Sequence, residues 1–401
     1  MVNNKKIMIL GASVLQLPAI KTAKELGFQV IAVDKDKNAV GFESADICLE
    51  ISTIDIPRVI AAAKEYKIDC IMTLATDMPI RTVAAVSKEL NIVGISEETA
   101  IKVTDKWIMR GCLKEYNVPV PVFIKVNSYI NFYDAIHKIK GKVIVKPVDS
   151  SGSKGVFLIE EKSNIEIIKS AYENSKYFSS NGEVIVEEFM DGPEVSVETL
   201  SFEGNVHIIA ITDKLTTGAP RFVEMGHSQP ATISDELKKQ IEVVTIAAVK
   251  AVGINNGPSH TEIIITEQGP KIVELGARLG GDNITTHLVP LSTGIDMVKC
   301  CIDISMGIKP NLDRKFNGGS AIRYFNSDKG RILNIRGIDK VKEMPGVKEV
   351  YFTKGIGDTV GEVKSSGDRI GFVISQANTV IEATNICNSA KQKIYFEIEN
   401  Y

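Results

Sequence analysis

The sequence has little of what marks several protein classes. Across 401 residues, 47 Lys and Arg stand against 50 Asp and Glu, giving a net charge of −3, so the composition does not point to nucleic acid as a partner. No stretch approaches the roughly 18 consecutive apolar residues of a membrane span. The N-terminus leads directly into a predicted strand, which does not fit a signal peptide. We therefore expect a cytoplasmic protein that binds neither nucleic acid nor membranes.

Cysteine is also sparse, and its spacing carries information. None of the six cysteines forms a CxxC pair, so a zinc site is not expected. We expect free thiols in a reducing compartment instead. They are Cys48, Cys70, Cys112, Cys300, Cys301 and Cys387. Internal repeats and low-complexity tracts are lacking as well, and the length predicts two to three domains with a large core.

The most specific chemistry lies in a predicted β-hairpin over residues 258–281. If its turn centres on Gln268, then Glu262 and Glu274 face each other across the ladder, with Cβ atoms about 4.5–5.5 Å apart. Opposed like charges destabilise a sheet, so a cation between them is expected. Mg²⁺ is a hard cation that takes oxygen ligands and shares them with phosphates. With Arg278 four residues later, the hairpin predicts a site for a metal-bound polyphosphate. The alternative is an edge strand with both carboxylates in water.

The N-terminal third reads as a small open parallel α/β sheet. Strand 6–10, a helix over 17–26 and strand 30–34 form a βαβ opening. Asp34 lies where a dinucleotide-binding fold places its ribose acid, but the segment 11–16 has one glycine where three are needed. The strand-end loops 11–16 and 73–77 should face a ligand crevice. Alternatively, Asp34 and Asp77 are carboxylates that cap turns.

A second group of candidate residues follows the connector after Asp105, which we expect to cap a helix over residues 107–116. Lys146 ends a buried strand, a costly position for a charge unless an anion lies nearby. The small-residue loop 150–155 then joins two apolar strands, and its amides together with Lys154 can surround phosphate oxygens. It lacks the P-loop form, and a plain hairpin turn is the alternative.

Three acids close and follow the next strand, namely Glu187, Glu188 and Glu194. They can line a nucleoside slot or serve as ordinary turn carboxylates. The polar segment 214–226, rich in Gly and Thr, is expected to be a mobile loop. Residues 311–401 alternate strands with a helix over 380–391, and no catalytic constellation is expected there.

Taken together, the ordered motifs resemble the ATP-grasp carboxylate–amine ligases over essentially the full chain. The motifs are Asp105-Lys106, Lys146-Pro147, the loop 150–155, Glu187-Glu188-Phe189-Met190 with Gly192-Pro193-Glu194, Glu262, and Glu274-x-x-x-Arg278. Each motif alone is weak, but the ordered set is specific. The resemblance implies an α/β ATP-grasp fold with four parts. These are an open parallel α/β domain (1–104), a small lid subdomain (105–185), a large subdomain with the Mg–ATP site (186–310) and an α+β cap (311–401).

The resemblance also implies residue roles. Lys106 and Lys146 would contact the ATP phosphates beneath a lid formed by 150–155, and Glu262 and Glu274 would hold Mg²⁺, with Mn²⁺ as an alternative. Glu187 and the backbone of 188–190 would hold adenine, Glu194 the ribose, and Arg278 the transferred phosphate. For the nucleotide, the implied residues are Lys106, Lys146, Ser151, Gly152, Ser153, Gly155, Glu187, Glu188, Phe189, Met190 and Glu194. For catalysis, they are Lys146, Arg278, His227 and His260, where each histidine is alternatively structural.

One position departs from the family pattern. Many members carry Asn two residues after the second metal carboxylate, and this chain has Gly276, so water or the phosphates would take the place of a third protein ligand to Mg²⁺. The implied activity joins a carboxylate to an amine through an acylphosphate and releases ADP and phosphate. Because dimers are common among proteins of this kind, the resemblance also implies a homodimer. Three segments look most like those of L-amino acid ligases, which form dipeptides. They are Gly226–Pro230, His260–Ile263 and Glu274–Gly281.

Other activities remain open at this point. Within the family they are a phosphoribosylglycinamide synthetase-like ligase, whose N-terminal domain would bind a phosphorylated sugar around residues 11–16, and a biotin-carboxylase or carbamoyl-phosphate type enzyme. Outside it they are a nicotinamide-dependent dehydrogenase, against which the missing glycines argue, and a nucleotide-binding regulator without turnover.

Overall fold

A computed structural model of the protein describes residues 5–150, 152 and 154–399. The N-terminal part is a four-stranded parallel sheet in the order β3-β2-β1-β4. Residues 7–10 of β1 are fully buried, as expected for a parallel strand covered on both faces. The elements are β1 (Lys6–Leu10), α1 (Leu17–Glu25), β2 (Gln29–Asp34), β3 (Ile47–Glu50), α2 (Ile56–Tyr66), β4 (Cys70–Met72), α3 (Ile80–Leu90) and α4 (Glu97–Thr104). The parallel α/β prediction for this part is confirmed.

A four-stranded antiparallel sheet follows, in the order β5-β8-β6-β7, and we call it the lid sheet. Its core includes Phe132 and Tyr172, whose ring centroids lie 5.1 Å apart. Its last strand ends at Glu188, three residues beyond the predicted boundary at 185. The elements are α5 (Lys106–Glu115), β5 (Phe123–Val126), α6 (Tyr129–Lys138), β6 (Val143–Pro147), β7 (Phe157–Ile159), α7 (Ile165–Tyr177) and β8 (Val184–Glu188).

The rest of the chain builds an eight-stranded sheet, here the large sheet, in the order β13-β12-β9-β10-β11-β14-β18-β16. Three strands from residues 311–401 extend this sheet, and three others form a separate small sheet, β17-β15-β19. The elements are β9 (Glu194–Phe202), β10 (Asn205–Thr216), β11 (Glu224–Gln229), α8 (Asp235–Val252), β12 (Gly257–Thr266), β13 (Gly269–Gly276), α9 (Val289–Thr293), α10 (Met297–Ser305), β14 (Gly319–Phe325), β15 (Gly330–Arg336), α11 (Ile338–Lys342), β16 (Val347–Phe352), β17 (Thr359–Val360), β18 (Gly371–Ala377), α12 (Val380–Lys393) and β19 (Tyr395–Glu399).

The predicted hairpin is formed by β12 and β13, and Glu262 pairs with Glu274 as expected. The route to that pairing differs from the prediction. The turn is shorter, since Thr266 already pairs with Gly269, and a β-bulge at Val273 supplies the extra residue that brings the two carboxylates opposite each other. The predicted pairing of Glu262 with Glu274 is therefore confirmed, but the predicted centre of the turn is wrong and the bulge was not predicted.

Two further expectations concern the loop 214–226 and the pair Cys300 and Cys301. The mobile loop predicted for 214–226 is wrong at both ends, because β10 continues to Thr216 and β11 begins at Glu224. Among the helices of the described residues, none is long and apolar enough to cross a membrane. Cys300 and Cys301 are buried in the core, as expected.

Candidate functional site

A cavity of about 460 Å³ is lined by the N-terminal region, the lid sheet and the large sheet. It gathers nearly every residue that the sequence singled out, from positions up to 201 residues apart in the chain (Asp77 to Arg278). The predicted residues in its wall are Lys106, Lys146, Gly152, Glu187, Glu188, Phe189, Met190, Glu194, His227, His260, Glu262, Glu274 and Arg278. Ser151 and Ser153 lie outside the described residues. Gly155 lies at the base of the loop, not in the cavity wall.

Glu187 is a buried carboxylate held between two cations. Its Oε1 accepts from Arg110 Nε at 2.8 Å, and its Oε2 lies 2.6 Å from Lys146 Nζ. Burial alone would raise the pKa of Glu187, but Arg110 and Lys146 outweigh it and hold that pKa at about 2. The Glu187 side chain therefore holds Lys146 in place, and its contact with adenine stays a prediction.

Arg110 was missed by the sequence analysis, although a signal for it existed. It lies four residues after Lys106 on α5, and that spacing places both side chains on one helix face. Its side chain is fully buried. Together with Lys106 and Lys146 it makes a group of three cations.

Lys146 lacks full compensation for its charge. Burial lowers the pKa of Lys146, Glu187 opposes that change, and the neighbouring Arg110 and Lys106 lower it further. An anion placed beside Lys146 would offset this repulsion. The arrangement thus favours a phosphate group at the end of β6.

Lys106 links the first turn of α5 to the hairpin. Its Nζ donates to the Ser150 carbonyl at 2.6 Å and lies 3.1 Å from Glu274 Oε1. Asp105 caps the same helix as expected, accepting from the Ile108 amide at 2.9 Å. The lysine thereby joins the start of the loop 150–155 to one of the two predicted metal carboxylates.

Lys214, at the centre of the opposite wall, was missed altogether. Its Nζ lies 2.5 Å from Glu194, 2.8 Å from Glu262 and 3.4 Å from Glu224. Burial lowers its pKa, but the three carboxylates outweigh that effect and raise it well above the usual value. Lys214 is therefore an ammonium that neutralises three acids, including the predicted ribose and metal ligands.

His260 bridges two carboxylates. Its Nδ1 lies 2.6 Å from Glu198 and its Nε2 3.5 Å from Glu262. Burial lowers the pKa of His260, but Glu198 and Glu262 raise it to about 9. As an imidazolium at neutral pH, His260 is suited to hold Glu262 in place, which fits a positioning role.

His227 belongs to a second polar cluster at the cavity wall. Its Nε2 lies 3.3 Å from Asp282, which also accepts two hydrogen bonds from Arg369 at 2.7 and 2.8 Å. The Arg369 guanidinium stacks 3.7 Å from the Tyr324 ring centroid. Arg369 comes from residues 311–401, where no catalytic constellation was expected, and it holds a carboxylate of the cavity wall in place.

Arg278 is held by a residue of the N-terminal region. Asp77 accepts from Arg278 Nε at 2.8 Å and from Nη2 at 3.1 Å. Both side chains lie in the cavity wall. Asp77 therefore does more than cap a turn, which was the alternative interpretation for it.

The predicted adenine segment has part of its backbone already engaged. The Glu188 amide donates to the Val122 carbonyl at 2.9 Å, and the Phe189 amide donates to the Lys142 carbonyl at 3.1 Å. The adenine contact stays a prediction, and these two amides are not available for it.

The loop 11–16 is closed by its own side chains. Asp34 accepts from the Ala12 amide at 2.8 Å, and Gln16 Oε1 accepts from the Ser13 amide at 3.2 Å. Gln16 Nε2 donates to the Leu74 carbonyl at 2.6 Å, which fixes the side chain across the loop. Asp34 thus closes a turn, the alternative interpretation for this residue, and the amides of Ala12 and Ser13 are already bonded within the loop.

Comparisons with known proteins agree with this geometry. Residues 139–286 match the ATP-grasp domain family, and residues 323–399 match the family described as L-amino acid ligase C-terminal domain 2. The chain is 26% identical to the L-arginine-specific L-amino acid ligase of Bacillus subtilis over 330 residues, which covers 80% of this chain and 79% of that protein.

Two solved structures share the fold. The L-amino acid ligase from Bacillus licheniformis superposes with a TM-score of 0.84 at 22% identity, covering 99% of this chain and all of that one. The phosphoribosylglycinamide synthetase from Anaerococcus prevotii gives a TM-score of 0.80 at 24% identity, with the same coverage. On these matches, residues 139–286 form an ATP-grasp domain, and the chain is an ATP-dependent, ADP-forming carbon–nitrogen ligase.

Proposed function

We propose that this ligase joins the carboxylate of one amino acid to the amino group of another. The observation that carries this proposal is the closed loop 11–16, which argues against a phosphorylated sugar amine as the substrate. The C-terminal match to the L-amino acid ligase family and the likeness to an L-arginine-specific L-amino acid ligase support it. The reaction would yield a dipeptide, ADP and phosphate.

The competing activity uses a phosphorylated sugar amine and glycine. Such a substrate needs a phosphate cradle in the N-terminal domain, where the loop 11–16 was its predicted place. In this chain the Ala12 amide donates a hydrogen bond to Asp34 and the Ser13 amide donates one to Gln16. The Asp34 carboxylate also adds a negative charge to the loop. A carboxylate beside the phosphate would repel it, so the loop favours a substrate without a phosphate.

The proposed chemistry begins by making the carboxylate a better acyl donor. Transfer of the γ-phosphoryl group from ATP gives an acylphosphate and releases ADP. The amine then attacks the carbonyl carbon, phosphate leaves with the C–O bond electrons, and the attacking nitrogen loses a proton. Lys106 and Lys146 would neutralise the charge on the phosphates, and Arg278 would meet the group that is transferred. Positioning and charge neutralisation account for most catalysis of this kind.

Glu262 and Glu274 fit a divalent cation. They oppose each other on β12 and β13, and each has its charge balanced by a lysine, Lys214 or Lys106. An ion held by these two carboxylates would complete its shell with phosphate oxygens. When bound, Mg²⁺ or Mn²⁺ would supply charge neutralisation for the polyphosphate.

The function can be tested by a screen for ADP and phosphate release with Mg²⁺ and ATP. We expect release with pairs of amino acids, in equal amounts with a dipeptide identified by mass spectrometry. Reactions with phosphoribosylamine and glycine, and with bicarbonate and an amine, serve as the matched alternatives. Release confined to either alternative would reassign the substrate, and ATP binding without release in all arms would identify a regulator.

The loop 150–155 should become protected when ATP and Mg²⁺ bind. Lys154 is exposed, and with Ser150 and Gly152 it lies in the cavity wall. An acylphosphate hydrolyses readily, so a loop that closes over it would exclude water. We expect ATP with Mg²⁺ to slow tryptic cleavage after Lys154.

The control for this experiment is cleavage after Lys329, which is exposed in the loop between β14 and β15. Its rate should not change, because it does not line the cavity. Equal cleavage after Lys154 with and without nucleotide would contradict the closing role of this loop.

A further inference from the structure

Gly276 is a glycine whose backbone does not require one. Its φ lies outside the left-handed region, and it ends the strand β13. A Cβ built on it would lie 2.8 Å from Asp77 Oδ1, and the next contact, Arg278 Cγ, is an ordinary 3.4 Å. The one atom that demands the absence of a side chain is therefore the Asp77 carboxylate.

Asp77, which lies beside Gly276 of the large sheet, belongs to the N-terminal part of the chain. It follows β4 of the N-terminal sheet, two residues after Ala75, whose φ of 58° is uncommon for a residue with a side chain. A non-glycine residue persists in this conformation where the surrounding structure requires it. The loop thus carries a carboxylate across to Arg278, which is 201 residues away in the chain.

The contact selects one edge of the Arg278 guanidinium. Asp77 takes the Nε and Nη2 hydrogens, while Nη1 donates to the Leu279 carbonyl at 3.3 Å. A two-point contact of this kind fixes the plane as well as the position of a guanidinium. A guanidinium has five N–H donors, so one hydrogen on Nη1 and one on Nη2 are then left for an anionic ligand in the cavity.

We infer that Asp77 is a positioning residue for Arg278 and that Gly276 is the residue that makes room for it. This inference rests on the proposed role of Arg278 at the transferred phosphate. The N-terminal domain would thereby complete the catalytic site through one ion pair. The space beside the second metal carboxylate, where a side chain at position 276 would lie, holds Asp77 instead.

The test is a double-mutant cycle of Asp77→Ala and Gly276→Ala. Each single change should lower kcat about 100-fold, because displacing a positioned catalytic group costs on that order, while KM for ATP changes little. Gly276→Ala keeps both charges and acts only by crowding Asp77. In the Asp77→Ala background it should therefore cost almost nothing more, a strong departure from additivity.

A second measurement does not depend on turnover. The rate at which an arginine-selective dicarbonyl reagent modifies Arg278, followed by peptide mass spectrometry without ATP, should rise in both single variants. Arg336, an exposed arginine paired with Glu397, is the internal control. Glu89→Ala, which removes an exposed ion pair with Lys64 in the same domain, should leave both kcat and the Arg278 rate unchanged.

The outcomes separate the inference from the proposed function. If the wild-type protein ligates no amino acids, the function is wrong, and the Arg278 modification rates still test the ion pair. Wild-type kcat in Asp77→Ala, an equal cost of Gly276→Ala in both backgrounds, or an unchanged Arg278 rate would each overturn the positioning role.

Discussion

Lys146→Ala is expected to abolish ADP release without unfolding the protein. Lys146 is buried at the end of β6 beside two other cations, where an anion is needed to balance the charge. Without its ammonium, the developing charge on the transferred phosphoryl group loses a fixed partner, and we expect kcat to fall by about 10³-fold or more. Glu187 keeps its contact with Arg110 in the variant, so the local fold should persist.

Glu274→Ala should have an equally large effect for a different reason. It removes one of the two opposed carboxylates and releases Lys106 from its contact at 3.1 Å. Loss of ADP release should then be accompanied by weaker Mg²⁺ dependence of ATP binding, measured by calorimetry. Both variants should keep the wild-type circular dichroism spectrum and melting temperature within a few degrees.

The control for both variants is Lys169→Ala, a charge change on the exposed face of the lid helix α7. It should leave ADP release at the wild-type rate. Near-normal turnover in both Lys146→Ala and Glu274→Ala would show that the cavity has been assigned the wrong chemistry.

The parts of the site that sequence reasoning found share one property, which is that each is encoded locally. Glu262 and Glu274 are twelve residues apart in one hairpin, and Lys146 ends an apolar strand. Strand periodicity, turn residues and the order of motifs along the chain are sufficient to place them. The ATP-grasp fold was recognised on the same basis, from motifs whose spacing is characteristic as a set.

The parts that it missed depend on partners far away in the chain. Asp77 and Arg278 are 201 residues apart, and Asp282 and Arg369 are 87 apart. Nothing in the residues next to Asp77 distinguishes an ion-pairing carboxylate from one that caps a turn. The pairing depends on how the N-terminal sheet packs against the large sheet, which a local pattern does not carry.

Lys214 shows a second cause of failure. Its neighbours Thr216, Thr217 and Gly218 have the composition of a loop, and this local signal outweighed the strand signal before it. The structure continues β10 through Lys214 because β11 pairs with residues 213–216, which places Lys214 opposite His227. Tertiary pairing overrides local propensity most easily in sheets, where the partner strand decides the conformation.

Lys214→Met is expected to destabilise the protein strongly and to make its stability depend on divalent cations. The change keeps the length of the side chain and removes the ammonium that neutralises Glu194, Glu224 and Glu262. Removing one partner from a buried charge cluster costs about 3–5 kcal/mol in the free energy of unfolding. Mg²⁺ bound at Glu262 would restore part of that free energy, since a ligand that binds the folded state stabilises it by mass action.

The measurement is the melting temperature of wild-type and Lys214→Met protein across a Mg²⁺ titration without ATP. The variant should melt well below the wild type without the ion and should gain more from it, because its carboxylates lack their internal cation. Lys125→Met is the matched control, since it breaks a half-exposed lysine–glutamate pair with Glu183 on the lid sheet. An exposed pair contributes at most about 1 kcal/mol, so this control should melt near the wild type and respond to Mg²⁺ as the wild type does. The contradicting result is a Lys214→Met protein that melts at the temperature of the control and gains no more than the wild type from Mg²⁺. In that case the three carboxylates do not depend on Lys214 to balance their charge. Glu262 would then not be the cation ligand that was predicted from its pairing with Glu274.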